Sequence, residues 1–524
     1  MLWAVLLLIA VILGYYYLVR PLQYWKRLGV KQGNPWPIVG DFKESIYGGI
    51  PLSDFIMRIY NYASNVRYVG IYQFNLPTLV IKDPELIKQI LVKDFDHFLD
   101  HKPFLSPDSD VLWSNNLFAL EGQRWREMRS TLSPSFTSSK MRIMFTLMQD
   151  VAENFTNYFT SQNKDVIEVE LKDAFTRYAN DVIASCAFGI EIDSLKNKNN
   201  EFYLMGKELT DFSGIWKNIK FFIGLLIPPS SKFLDVNIFN KEVTNFFRSV
   251  VKDTIKIRES KGIVRPNLIH ILMEARKGKS HDNNHKETLD AGFATLEESD
   301  VGVKGKTELS DDEITAQAAV FFFAGFDSVS GLMSFATYEL AIQPDIQDRL
   351  RTEIQDVLEE NGGKLTYEGL LKMKYMDMVV TETLRKWPNS AQTDRVCTKP
   401  YTIQPKTPDE NPIHLKVGDP IWIPIWSIQR DPQYFPNPEK FDPERFNDEN
   451  KQKIDPYTFL TFGIGPRSCI GNRFALLEVK AVLFHLLSKF RIVPTEKTDI
   501  PIQIHPRSIG LNAKNGFWVA FEKL

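Results

Sequence analysis

The sequence predicts a mainly α protein with a small β portion, carried behind an apolar amino-terminal helix. Three observations lead there. Helical periodicity dominates the body, in SKMRIMFTLMQDVAENFTNYF, in NKEVTNFFRSVVKDTIKIRES and in a long run from Asp311. Strand alternation is confined to short stretches such as VRYVGIYQF, LPTLVIKD and NGFWVAFEK. Met1 to Val19 contains no charged side chain.

That first segment would span about 28 Å as a helix, close to the hydrocarbon thickness of a bilayer. Arg20, Lys26, Arg27 and Lys31 follow it, and Tyr15, Tyr16 and Tyr17 stand where a cleavable signal needs small residues. Residues 1–20 therefore read as an uncleaved signal anchor. By the positive-inside rule the body faces the cytoplasm. Residues 21–40 form a basic hinge in which Pro35 and Pro37 forbid helix and Gly33 and Gly40 permit turns. Residues 41–524 are the body.

A net charge of −2 gives no basic field, which argues against a nucleic-acid partner. Only three cysteines occur, far apart, so a disulfide framework is not expected. Cys186 and Cys397 read as core thiols. The polar stretch from Ala275 to Leu309 reads as an exposed loop. The proline-rich stretch from Asp431 to Pro456 reads as an irregular meander.

The run from Asp311 opens with Ser310 and Glu313 at capping-box spacing and stops at Pro344. It is apolar nearly all round and should be buried. Gly325, Asp327, Ser328 and Ser330 interrupt its middle. A buried Asp327 needs a partner there, and a Gly/Ser cluster is where a helix kinks or opens. The residues alone leave two readings open: Asp327 caps a distortion, or an acid beside a hydroxyl passes protons into a cavity. Glu382 and Arg385 are three apart on one helix face and can pair, with Arg445 of FDPERF a candidate third member. Trp125 and Arg129, four apart, could reach one anion.

FGIGPRSCIG, residues 462–471, presents Cys469 at or just before a helix amino terminus, where unpaired N–H groups favour a thiolate. Gly463 and Gly465 allow a tight turn, Gly471 leaves a face clear, and Arg467 adds a cation.

With these motifs the chain resembles a cytochrome P450 of the membrane-anchored microsomal type, most similar to insect xenobiotic-metabolising members. Phe462-Gly463-x-Gly465-x-Arg467-x-Cys469-x-Gly471 matches the family signature at every fixed position. Glu382-x-x-Arg385 and Pro443-Glu444-Arg445-Phe446 match two further signatures in order, Trp125-x-x-x-Arg129 a fourth, and AGFDS from Ala324 the oxygen-activation segment. The resemblance implies the P450 fold in one large domain and a heme b cofactor with Cys469 as the iron ligand. Trp125, Arg129, Arg395 and Arg467 would hold the propionates, with Phe462 and Gly471 at the heme. Ala324 and Gly325 would line the oxygen pocket, and Asp327 with Ser328 would relay protons. Glu382, Arg385 and Arg445 would form a structural network.

It also implies electrons from NADPH through cytochrome P450 reductase, with cytochrome b5 as a second donor, at the endoplasmic reticulum membrane. Arg124, Arg126, Arg473 and Lys480 are candidate reductase contacts. Substrates would be lipophilic small molecules such as plant toxins, insecticides or endogenous lipids, met by segments that include 101–116, 212–226 and the turn at Ser508. The chain departs from the family where Ser328 replaces the usual threonine, where Val329 replaces a frequent second hydroxyl, where His101 stands near a usual propionate-binding basic residue, and in a hinge that follows the family's proline-rich pattern only loosely. The competing readings are a heme-thiolate isomerase or dehydratase of lipid peroxides and a non-catalytic heme binder. The acid–hydroxyl pair argues against both.

Overall fold

The computed structural model describes residues 2–47, 49–103, 110–210, 237–262, 267–276, 292–296, 301–303, 305, 309–506 and 510–524. The sequence-predicted substrate segment around Phe212–Leu226, including the apolar stretch from Phe221, and the turn at Ser508 lie outside them.

Leu2–Gly14 is α-helical and Tyr15–Val19 continues it, with none of this span buried. The body is helical around one central helix, Asp311–Ile342. Its amino terminus carries the predicted capping box, Ser310 Oγ accepting from the Glu313 amide while Glu313 reaches back to Ser310. It is long and apolar enough to span a bilayer, but most of it is buried within the protein, so it is a core helix. Helices Leu171–Ile183 and Lys241–Lys261 pack along it. Rings of Phe202, Phe247, Phe322 and Phe326 pack together there, mostly edge-on or tilted, with Phe322 and Phe326 stacked.

The strands are short: β1 Tyr68–Gln73, β2 Leu76–Ile81, β3 Val166–Glu170, β4 Thr393–Val396, β5 Tyr401–Ile403, β6 Ile413–Leu415, β7 Pro420–Ile423, β8 Phe490–Val493 and β9 Trp518–Lys523. They form sheets in the orders β1-β2-β7-β4, β3-β9-β8 and β5-β6. The three strand segments read from alternation are β1, β2 and β9. All of β1 is buried, because one edge of it meets the hinge: Gly70 pairs with Gln32 and leaves no room for a Cβ against Trp25.

Two expectations change. The central helix has no break at Gly325–Ser330. Its hydroxyls instead bond back into the helix, Ser328 Oγ to Ala324 O and Ser330 Oγ to Phe326 O at 2.7 Å. The stretch 275–309 is not simply an exposed loop either: Ala294, Val301 and Leu309 are buried. The meander is irregular as expected, with only two short turns of 3₁₀ helix, Pro443–Phe446 and Lys451–Lys453.

Candidate active site

Cys469 sits in a loop that closes on itself. Its amide donates to Phe462 O at 2.8 Å, Ser468 N to Gly465 O at 3.0 Å and Gly463 N to Leu460 O at 2.9 Å. Gly463 and Gly465 have φ of +71° and +72°. A Cβ on Gly465 would lie 2.1 Å from Leu91 O, so no other residue fits there. The helix Asn472–Leu487 starts three residues after the cysteine, and Gly471 is its N-cap. Cys186 and Cys397 are buried, whereas Cys469 is exposed.

Around this loop the fold collects cations. Arg129, on the helix Gly122–Leu132, donates to Ser468 O at 2.8 Å. Arg467 donates to Leu120 O at 2.8 Å and lies over the Trp125 ring at 4.4 Å. Arg395, on β4, donates to its neighbour's carbonyl, Asp394 O, at 2.6 Å and approaches the His101 ring at 3.3 Å. Burial first, and then the neighbouring Arg395, push Arg467 down to about 9. Burial also pushes Arg395 down to about 10. His101 falls to about 4, again from burial first and Arg395 second, so at neutral pH it is an uncharged partner of Asp394. Arg395 Nε and Arg467 Nε and Nη1 are buried and find no hydrogen-bond partner among the described residues. Crowded guanidinium groups holding unspent donors are suited to a buried polyanion.

On the other side of the site the central helix shows a gap in its apolar surface. Ala324 is exposed between the half-buried Phe323 and Gly325, with Phe322 and Phe326 buried on either side of them. The missing side chain of Gly325 is explained by packing, since a Cβ there would meet Ile183 Cδ1 at 2.8 Å. Asp327 is not buried as expected; its side chain is 47% exposed. Its partner is Lys172, whose ammonium lies 2.8 Å from Asp327 Oδ1 and also donates to Asp327 O at 2.8 Å and Ser330 Oγ at 3.0 Å. Asp327 therefore holds a fixed ion pair beside Ser328.

Glu382 and Arg385, on the helix Lys374–Lys386, have no exposed side-chain surface. The pair is bidentate, with Arg385 Nε 2.7 Å from Glu382 Oε2 and Nη2 2.8 Å from Oε1. Arg385 also donates to Gln429 O and Pro438 O, and Arg445 Nε reaches Glu382 Oε1 at 3.4 Å while its other nitrogens bind Pro436 O and Asn437 O. This is a buried clamp on the meander. Gln429 extends it to the cysteine loop. Its amide donates to Leu384 O and Arg385 O, and its Oε1 accepts from Leu460 N and Thr461 Oγ1.

Every sequence-predicted site residue thus falls into one of three groups: the cysteine loop with its arginines, the gap in the central helix, or the clamp. Lys172, Gln429 and Asn472 are additions. Nothing in their local sequence marks the first two, which act across 155 and 44 residues. Asn472, three residues after the cysteine in CIGN, donates Nδ2 to Cys469 O at 2.8 Å.

The cytochrome P450 family profile matches residues 30–520. The chain belongs to the cytochrome P450 family. It is 45% identical to cytochrome P450 9e2 of Blattella germanica over 93% of this chain and 91% of the relative. It is 40% identical to probable cytochrome P450 9f2 of Drosophila melanogaster over 99% of each chain. Cytochrome P450 6k1 of Blattella germanica is 38% identical over 99% of this chain and 96% of the relative. Cytochromes P450 bind heme b through a cysteine thiolate and are oxidoreductases of the monooxygenase class. The residues present fit that group: one exposed cysteine in a glycine-shaped loop, and beside it buried guanidinium nitrogens with donors to spare for carboxylates.

Proposed function

We propose that this P450 is a membrane-anchored monooxygenase that inserts one oxygen atom from O2 into lipophilic small molecules. Its electrons come from NADPH through cytochrome P450 reductase, with cytochrome b5 as a second donor. Residues 1–20 anchor it in the endoplasmic reticulum membrane, 21–40 form the hinge and 41–524 the catalytic domain facing the cytoplasm. Xenobiotics, plant toxins and insecticides among them, or endogenous lipids are the substrates.

The observation that carries this reading is the half-exposed Asp327 beside Ser328, one turn from the exposed Ala324. When bound, the heme supplies the thiolate-ligated iron at which dioxygen is activated, with Cys469 as the ligand. The arginines Arg129, Arg395 and Arg467, with Trp125 under Arg467, would grip its carboxylates by charge-assisted hydrogen bonds. Phe462 and Gly471 complete the loop that presents the sulfur. The other chemical task is proton delivery. Asp327, held by Lys172, takes protons at its carboxylate from solvent. Ser328 Oγ, which donates to Ala324 O, rotates to pass a proton into the space beside Ala324.

Aromatic rings near that space support an apolar substrate. Trp113 lies 5.9 Å from Phe118, 5.8 Å from Phe239 and 6.3 Å from Phe323, the residue before Ala324. Of the basic residues expected to face the reductase, Arg124 is exposed. Lys480 is buried against Asp377 and is excluded from that role.

Serine lacks the methyl that narrows threonine's rotamers, so the Ser328 hydroxyl should deliver protons less selectively. Ser328→Thr is therefore expected to lower the ratio of hydrogen peroxide to oxygenated product, and an unchanged ratio would remove the argument. The function itself is tested by incubating the holoprotein with a lipophilic probe, reductase, NADPH and labelled O2. The expected result is one labelled oxygen atom in the product and product formation that requires the reductase. Turnover of a lipid hydroperoxide without NADPH, and no labelled product, would favour the isomerase reading.

A further inference from the structure

Part of the connection between the helix Leu268–Arg276 and the central helix is docked against the cysteine loop. Residues 292–296 make a turn, closed by Thr295 N donating to Gly292 O at 2.9 Å. Gly292 has φ of +120°, and a Cβ on it would lie 1.7 Å from Asp377 Oδ1. Phe293 N donates to Asp377 Oδ2 at 3.0 Å, and Asp377 Oδ1 accepts from Lys480 Nζ at 2.8 Å. The Phe293 ring packs on Phe446 and Phe459 at 4.9 and 5.4 Å, and Ala294 is buried.

The end of this strap meets Asn472. Leu296 N donates to Asn472 Oδ1 at 3.2 Å, and Asn472 Nδ2 donates to Cys469 O at 2.8 Å. Asn472 itself is 4% exposed. A side-chain amide has one accepting and one donating end. A backbone N–H on one side can be satisfied only by Oδ1, which obliges Nδ2 to face the other side. The strap therefore fixes which way the amide points, and the amide fixes the cysteine's own carbonyl. A flipped amide would set N–H against N–H and carbonyl against carbonyl.

We propose that residues 292–296 are a positioning strap for the thiolate, with Leu296 N and Asn472 as its working end. This rests on Cys469 being the heme ligand. The hydrogen bond to the Cys469 carbonyl draws electron density from the ligand residue and limits movement of the loop. Losing it leaves the sulfur more mobile and its ligation more easily lost.

The test uses the full-length holoprotein and three variants: Asn472→Leu, Gly292→Val, which drives the strap off Asp377, and Leu296→Pro, which removes the strap's donor. The readouts are the conversion of the reduced, CO-bound Soret band from the thiolate to the thiol type, and the heme midpoint potential. Conversion about 10-fold faster is expected in each variant, the lower end of what supporting residues contribute at metal sites. The potential should shift in the same direction in all three. Combining Asn472→Leu with either strap variant should add nothing further, since both act through one amide.

Wild-type conversion and potential in the Gly292→Val and Leu296→Pro holoproteins would overturn the proposal, as would effects that add to those of Asn472→Leu. A fall in thermal midpoint alone, with both heme readouts unmoved, would also overturn it by reducing the strap to packing. If the wild-type protein lacked a thiolate-type band, the Cys469 assignment would fail instead, and the two failures are separable.

Discussion

Glu382→Ala is expected to cost about 3–5 kcal/mol of stability, the usual penalty for removing one partner of a buried ion pair. Arg385 would be left with no exposed surface and no carboxylate, and Arg445 would lose the same partner. Asp442 N, which donates to Glu382 Oε1 at 2.9 Å, would lose its acceptor too. The meander would loosen at several points together, and through Gln429 the disturbance reaches Leu460 and Thr461, just ahead of the cysteine loop. The loss should appear as missing holoprotein and a lower thermal midpoint. Turnover per heme in the surviving fraction should be close to wild type, because none of these side chains lies at Asp327 or Ala324. A variant with full heme content and slow turnover would instead make Glu382 part of the chemistry.

Asp327→Asn should show the opposite pattern. Heme content and thermal midpoint stay near wild type, since the carboxylate is half exposed. Product formation falls by about 10²-fold, the lower end of what a positioned acid–base group contributes. Oxygen and NADPH consumption should fall less than product, with peroxide making up the difference. Lys172→Met leaves the carboxylate in place but frees it from its ion pair, so a smaller loss is expected from that change. Product formation unaltered in Asp327→Asn would reduce Asp327 to a surface group that merely anchors Lys172.

The contrast between these two residues shows where sequence reasoning was strong. The Ser310–Glu313 cap, the Glu382–Arg385 pair and the glycine turn before Cys469 depend on residues within a few positions of each other, and geometry at that range follows from helix periodicity and backbone conformation. The short strands β1, β2 and β9 were legible for the same reason. Asp327 departs from the expected burial because periodicity tells that a helix is apolar all round but not which of its positions the fold leaves exposed. Its partner Lys172 lies on another helix, and no local pattern announces it. Gln429 and the strap at 292–296 are hidden in the same way. The strap belongs to a polar stretch whose composition suggests solvent, and only the fold carries Phe293 and Ala294 into the core. Arg129 and Arg467 are legible from the Trp125 spacing and the cysteine loop, and Arg395 as a family position. That Arg395, Arg467 and His101 crowd one another, with donors left over, is a property of the assembled site alone.

The most direct measurement is the reduced, CO-bound absorption spectrum of the full-length holoprotein, taken beside that of Cys469→Ser. A red-shifted, thiolate-type Soret band in the wild type is expected, lost in Cys469→Ser while Cys186 and Cys397 remain. A thiol- or imidazole-type band in the wild-type protein, or a thiolate-type band that survives in Cys469→Ser, would contradict a heme held by the sulfur of Cys469.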